Sequence, residues 1–253
     1  MKFTANHKPY QQSEDFSDWC DSVLGQKLTY VEQQELDRIL PDLFGYHLLQ
    51  IGSIGPSLSS ASKIMNKVVM CCTEQPVRNC SIIGSASQLP VQPDCLDAVI
   101  ICHSLDFADD PKQLLREVER VLVPEGHIVI LGFNPRSLWG LRRFIGFGNR
   151  PAPWNGRFLA APRVKDWLAL LGFEVESTHY RFYRPPIQHS GMLARLNFLE
   201  SWGARWWPFG GAAYILLATK KVSTLTPIKP RWRPKRSVVA GLGDAASRSY
   251  LEK

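Results

Sequence analysis

The side chains best placed to do chemistry stand just after short apolar runs. His103 follows the run Leu96–Cys102, with Asp106 and Asp109 close behind it. An imidazole titrates near neutral pH, so His103 could orient or deprotonate a substrate group, or it could simply close a pocket wall. Gly52 and Gly55 follow His47–Ile51, the turn Gly84-Ser85-Ala86-Ser87 follows Cys80–Ile83, and Asn134 follows His127–Phe133. Beyond these, Arg136, Trp139, Arg142, Arg143 and Phe144 form a basic, aromatic run. Such a run suits an anionic or aromatic ligand, or packs a helix on a sheet. The six cysteines contain no Cys-x-x-Cys pair, and no histidine pair has zinc-finger spacing. They read as reduced core thiols, so no metal site is expected.

The elements that must position these residues alternate along the chain. Two amphipathic helices are expected first, over 16–25 and 30–40, the first ended by Gly25 and the second by Pro41. Short strands are expected at 47–51, 67–72, 80–83, 96–102 and 127–133, with a possible helix at 56–65. The clearest helix spans 111–122: Asp110 caps it, Pro111 fills its first position, and Leu114, Leu115, Val118, Val121 and Leu122 form one apolar stripe. A helix at 162–171, a strand at 173–182, another helix around 190–202 and a last strand at 212–222 complete the pattern. Strands alternating with helices imply a mostly parallel sheet covered on both faces. Ligands of such sheets lie outside the carboxyl ends of the strands, which is where the residues above stand.

Composition sets the outer bounds. The chain has 253 residues, 45% hydrophobic and 21% charged, which fits a globular protein and excludes wholesale disorder. The longest purely apolar run, Ala212–Ala218, is too short to span a bilayer. Met1–Tyr10 lacks the apolar core of a secretory signal, so the cytoplasm is the expected compartment. The formal net charge of +7 is uneven. Residues 1–40 are acidic on balance, whereas 223–253 carry Lys229, Arg231, Arg233, Lys235, Arg236, Arg248 and Lys253 against Asp244 and Glu252. The expected organisation is a helical cap at 1–44, a domain at 45–222 with a lid-like insertion at 134–160, and a basic tail at 223–253.

The stretch 80–133, from CSIIGSASQLP through DFADDPKQLLREVERVLVPEG to the strand HIVILGF, resembles the class I methyltransferases that use S-adenosylmethionine, in particular the methyltransferase-11 type. The following GFNPRSLWGLRR is similar to a small bacterial YafS-like branch of that family. The resemblance is strong over 80–145 and weaker elsewhere within 45–220. It implies a Rossmann-like, mostly parallel seven-stranded sheet with helices on both faces and an antiparallel last strand. It also implies S-adenosylmethionine as methyl donor.

Carried over residue by residue, the resemblance places Gly52, Ser53 and Gly55 at the glycine turn after the first strand. Gln50 stands where the family has an acid, and Ile54 and Pro56 where it has later glycines. Glu74 takes the position of the ribose acceptor, Ser85 and Ala86 that of the adenine turn, and His103 borders donor and acceptor. Asn134, Trp139, Arg142 and Arg143 would form a lid over the acceptor. The implied function is methylation of a small-molecule acceptor. Two alternatives stay open: a degenerate member that binds a ligand or partner without transfer, and an RNA-directed enzyme using Arg231-Trp232-Arg233 and the basic residues after it. Trp202, Trp206, Trp207 and Phe209 beside Arg205 raise a further choice between membrane-surface contact and ordinary core.

Overall fold

A computed structural model describes residues 9–52, 58–72, 80–145, 151–187 and 198–222. The chain divides into residues 1–222 and 223–253, and the description concerns the first of these. The basic tail lies outside the described residues, as do Ser53, Gly55 and Glu74.

A seven-stranded sheet organises the fold, in the order β3-β2-β1-β4-β5-β7-β6. Its strands are β1 (His47–Ile51), β2 (Asn66–Cys71), β3 (Ile82–Ile83), β4 (Leu96–Cys102), β5 (Leu122–Phe133), β6 (Phe173–Arg181) and β7 (Ala213–Lys220). The first five run parallel; β7 enters antiparallel between β5 and β6. The helices are α1 (Pro9–Cys20), α2 (Val23–Ile39), the short α3 (Ser104–Phe107), α4 (Pro111–Val121), α5 (Leu138–Ile145), α6 (Ala161–Leu170) and α7 (Phe198–Trp206).

Alternation along the central strands builds two cores. Ala98, Ile100 and Cys102 of β4 and Val129, Leu131 and Phe133 of β5 pack with Phe16, Trp19, Leu24, Leu28 and Leu36 of α1 and α2. Val99 and Ile101, with Ile128 and Ile130, pack on the other face with Leu114, Leu115 and Val118 of α4 and Val164 and Leu168 of α6. A strand buried on both faces has no polar side to show, hence the nearly unbroken apolar run at 96–102. Its one acid, Asp97, accepts from the backbone N–H of Tyr46 (2.8 Å) and His47 (2.9 Å) and so fixes the entry to β1.

The boundaries follow capping chemistry. Asp110 accepts from the N–H groups of Lys112 and Gln113, and Pro111 opens α4 as its type and place require. The N-terminal helices fall differently from the sequence expectation. Gly25 does not end the first; it lies in the first turn of the second, donating its N–H to Ser22, the cap of α2 (3.1 Å). The Ser-rich stretch forms turns at 58–61, and residues 53–57 lie outside the description.

Candidate functional site

The carboxyl ends of β1, β3, β4 and β5 gather most of the described candidates. Gly52 ends β1 with φ of 95°, a left-handed backbone that suits glycine. A Cβ there would lie 2.6 Å from both the Cys102 carbonyl and the Ser104 hydroxyl, so the turn is tight against the end of β4. Ser104 tightens it further by donating to the Ile51 carbonyl (3.1 Å). Gln50, two residues before Gly52, is buried. Its amide nitrogen donates to the Gly52 carbonyl (3.2 Å), while its Oε1 is a buried acceptor with no partner among the described residues. Such an atom costs stability unless something donates to it.

Ser85 and Ala86 stand half-buried in the turn after β3, where Ser85 shares a hydrogen bond with Ser87 (2.7 Å). Gly52, Ser85, Ala86 and His103 thus stand at one end of the sheet.

His103 is fully buried and sits in the left-handed region at φ 53°, immediately before α3. Its Nε2 is 2.8 Å from Glu32 of α2, and its Nδ1 is 3.4 Å from Asp106. Burial alone would lower the pKa of this imidazole, but the two carboxylates outweigh that and hold it at about 9. Asp106 also accepts from the backbone N–H of Phe133 (2.9 Å) and Leu159 (3.3 Å). Burial pushes its own carboxyl above the ordinary range against those hydrogen bonds.

Aromatic rings enclose this group. Phe16 of α1 meets His103 at 5.3 Å between ring centres and Phe107 at 4.8 Å; Phe133 lies over His103 at 4.2 Å. Phe158 stacks on Phe133 at 4.9 Å, and Trp139 stacks on it at 5.9 Å. The space above the ends of β4 and β5 is therefore packed by α1 and α2, and both ring nitrogens of His103 face carboxylates.

The residues of the expected lid are built into this packing. Asn134 is buried and donates from Nδ2 to the carbonyls of Phe209 (2.7 Å) and Gly211 (2.9 Å). Trp139 is fully buried and donates from its indole to the Arg184 carbonyl (3.0 Å). Arg142 is exposed, lies 4.0 Å over the Trp154 ring and donates to the Pro186 carbonyl; Arg143 lies over Phe158 at 5.4 Å.

Sequence reasoning missed Glu32. The available signal was an acid at the centre of an apolar stripe, four residues from both Leu28 and Leu36. A carboxylate there is buried unless the helix turns away, and a buried carboxylate needs a partner. Among the described residues no cluster of His, Cys, Asp or Glu could hold a metal ion.

Residues 58–130 match a family model described as a methyltransferase domain. YafS of Escherichia coli K12 is 29% identical over 214 residues, covering 83% of this chain and 84% of that protein. A ubiquinone/menaquinone biosynthesis C-methyltransferase, UbiE of Rubrivivax gelatinosus, is 32% identical over 87 residues, 34% of this chain and 31% of that one. Among solved structures, an S-adenosylmethionine-dependent methyltransferase from Thermotoga maritima superposes with a TM-score of 0.60 at 19% identity, covering 82% of this chain and 96% of that one. The chain is thus similar to YafS over most of both lengths, matches the methyltransferase-domain model over residues 58–130, and has the Rossmann-like fold seen in solved S-adenosylmethionine-dependent methyltransferases.

Proposed function

We propose that this chain transfers a methyl group from S-adenosylmethionine to a small-molecule acceptor. The observation that carries the reading is the unpartnered Gln50 Oε1 beside the left-handed turn at Gly52. The methyl donor bears an ammonium group, a good partner for a buried oxygen at the end of β1. Gly52, Ser85 and Ala86 would hold the donor, joined by Ser53, Gly55 and Glu74 from outside the described residues. When bound, the sulfonium supplies an already activated methyl carbon.

The protein's share of the chemistry is then alignment and exclusion of water. Alignment alone is worth a large part of the barrier when two reactants are held in attack geometry. The ring wall of Phe16, Phe107, Phe133 and Phe158 keeps water from the end of β4. His103 acts as a positioning residue: it joins Glu32 of the cap to Asp106 of the loop after β4. With both its nitrogens engaged it is not available to an acceptor, and a role as base would require α2 to withdraw. That same arrangement supports the second reading, a degenerate member of the fold that binds a ligand or partner without transfer.

Calorimetric titration of the full chain with S-adenosylmethionine and S-adenosylhomocysteine tests donor binding. Micromolar affinity for either supports the reading, and methyl transfer in an acceptor screen then separates it from the degenerate one. No heat at millimolar ligand rejects donor binding and methyl transfer, and favours the second reading.

A further inference from the structure

We propose that the outward face of α7 and the turn after it form a docking surface for an anionic lipid bilayer. Four large rings stand in solvent there: Trp202 is 65% exposed, Trp206 78%, Trp207 49% and Phe209 64%. The sequence left open whether this cluster is core or surface, and the structure makes it surface. An exposed apolar patch of this size on a folded domain marks a site of contact.

The helix carries its polarity in reverse. Glu200 faces the body of the protein, pairing with Arg184 at 3.1 Å and accepting from the Tyr183 N–H at 3.2 Å. Gly203, three residues on, lies flat against the Tyr183 ring; a Cβ there would come within 2.4 Å of it. Positions 200 and 203 being inward, Trp202, Arg205 and Trp206 share the opposite face. The turn after the helix is equally fixed. The Tyr183 hydroxyl donates to the Pro208 carbonyl at 2.9 Å, and Asn134 holds the carbonyls of Phe209 and Gly211. The rings are thus held outward by several specific contacts.

Charge selects the occupant. Segment 134–145 also presents exposed Leu138 and Leu141 with exposed Arg136 and Arg142. It is tied to the same 182–187 backbone as α7, through Trp139 to Arg184 and Arg142 to Pro186. Across 134–145 and 198–211 the sole acid in the sequence is Glu200, which is paired. Tryptophans with arginine, leucines nearby and no unpaired carboxylate match the headgroup region of an anionic membrane. This rests on the surface alone and is independent of methyl transfer.

The test is co-sedimentation of the full chain with vesicles of phosphatidylcholine, with and without phosphatidylglycerol. Binding is expected to the mixed vesicles and to fall with salt. Trp202→Ala with Trp206→Ala should weaken it about tenfold or more, at unchanged melting temperature. Arg205→Gln should weaken it less and flatten the salt dependence. Brominated acyl chains should quench wild-type tryptophan fluorescence, and the paired Trp→Phe changes at 202 and 206 should remove most of that quenching. The proposal is overturned if the wild type does not bind mixed vesicles, or if the double alanine variant binds as well as the wild type, which would assign the binding to another basic segment. It is equally overturned if the double variant breaks a dimer of the free protein and vesicles do not compete with that dimer.

Discussion

His103 and Glu32 meet at 2.8 Å with neither side chain reached by solvent, although 71 positions separate them in the chain. The contact joins the N-terminal cap to the end of β4. Removing one partner of a buried pair leaves the other charged and unsolvated, which costs about 3–5 kcal/mol. Glu32→Ala should therefore lower stability by about that much, read as a fall in the urea midpoint. Loss of amide protection in α1 and α2 ahead of the sheet would show that the contact holds the cap. A variant within about 0.5 kcal/mol of wild type would mean that the pair contributes little.

The same contact makes stability depend on pH, in a definite direction. The imidazole pKa stands at about 9 in the folded protein against 6.5 for the free side chain. A raised pKa stabilises the fold fully below the unfolded value, and the contribution is lost as pH rises through the folded one. The window is therefore about pH 6.5 to 9, and the full effect is about 3 kcal/mol. Asp106, also raised, acts in the same direction at lower pH. Urea midpoints measured across that window should decline for the wild type. Glu32→Gln keeps a hydrogen-bonding group and removes the charge, so its decline should be shallower and end at lower pH. An identical profile in the two proteins would assign the pH dependence elsewhere.

Gln50 separates binding from folding. Gln50→Leu removes the unpartnered oxygen and one weak hydrogen bond while filling similar volume, so stability should stay within about 1 kcal/mol of wild type. Affinity for S-adenosylmethionine should fall about tenfold, the worth of one hydrogen bond to a charged group. Gln50→Glu should raise that affinity, since a carboxylate meets an ammonium more strongly than an amide does. Unchanged affinity in both variants would remove Gln50 from the donor site.

How far the sequence could be read depended on whether a signal was local. Asp110, Pro111 and the stripe from Leu114 to Val121 are all within α4, and that helix is found where they put it. The apolar runs of β4 and β5 likewise state their own burial. What could not be read was pairing across distance. Gly25 looks like a helix exit until Ser22 is seen to cap the next helix. Asn134 and Trp139 look like ligand-facing residues until their partners, Phe209, Gly211 and Arg184, arrive from more than 40 positions later. Glu32 was visible as an acid within an apolar stripe, but its partner was not.

Trp139 gives the last prediction. Its ring lies at the centre of the aromatic group, 5.9 Å from Phe133, 5.8 Å from Trp19, 5.7 Å from Trp154 and 5.6 Å from Phe182. Those rings come from the cap, from the end of β5 and from the segments after α5 and β6. Trp139→Ala should cost about 3–5 kcal/mol, as expected for a large buried ring whose neighbours cannot all collapse into the space. Trp139→Phe keeps most of the stacking and loses the indole hydrogen bond to Arg184, a change of about 1–3 kcal/mol. If the ring is a packing centre, both variants lose stability in that order, and the more conservative one keeps the donor affinity of the wild type. A phenylalanine variant of full stability but lower donor affinity would instead make Trp139 part of the binding site.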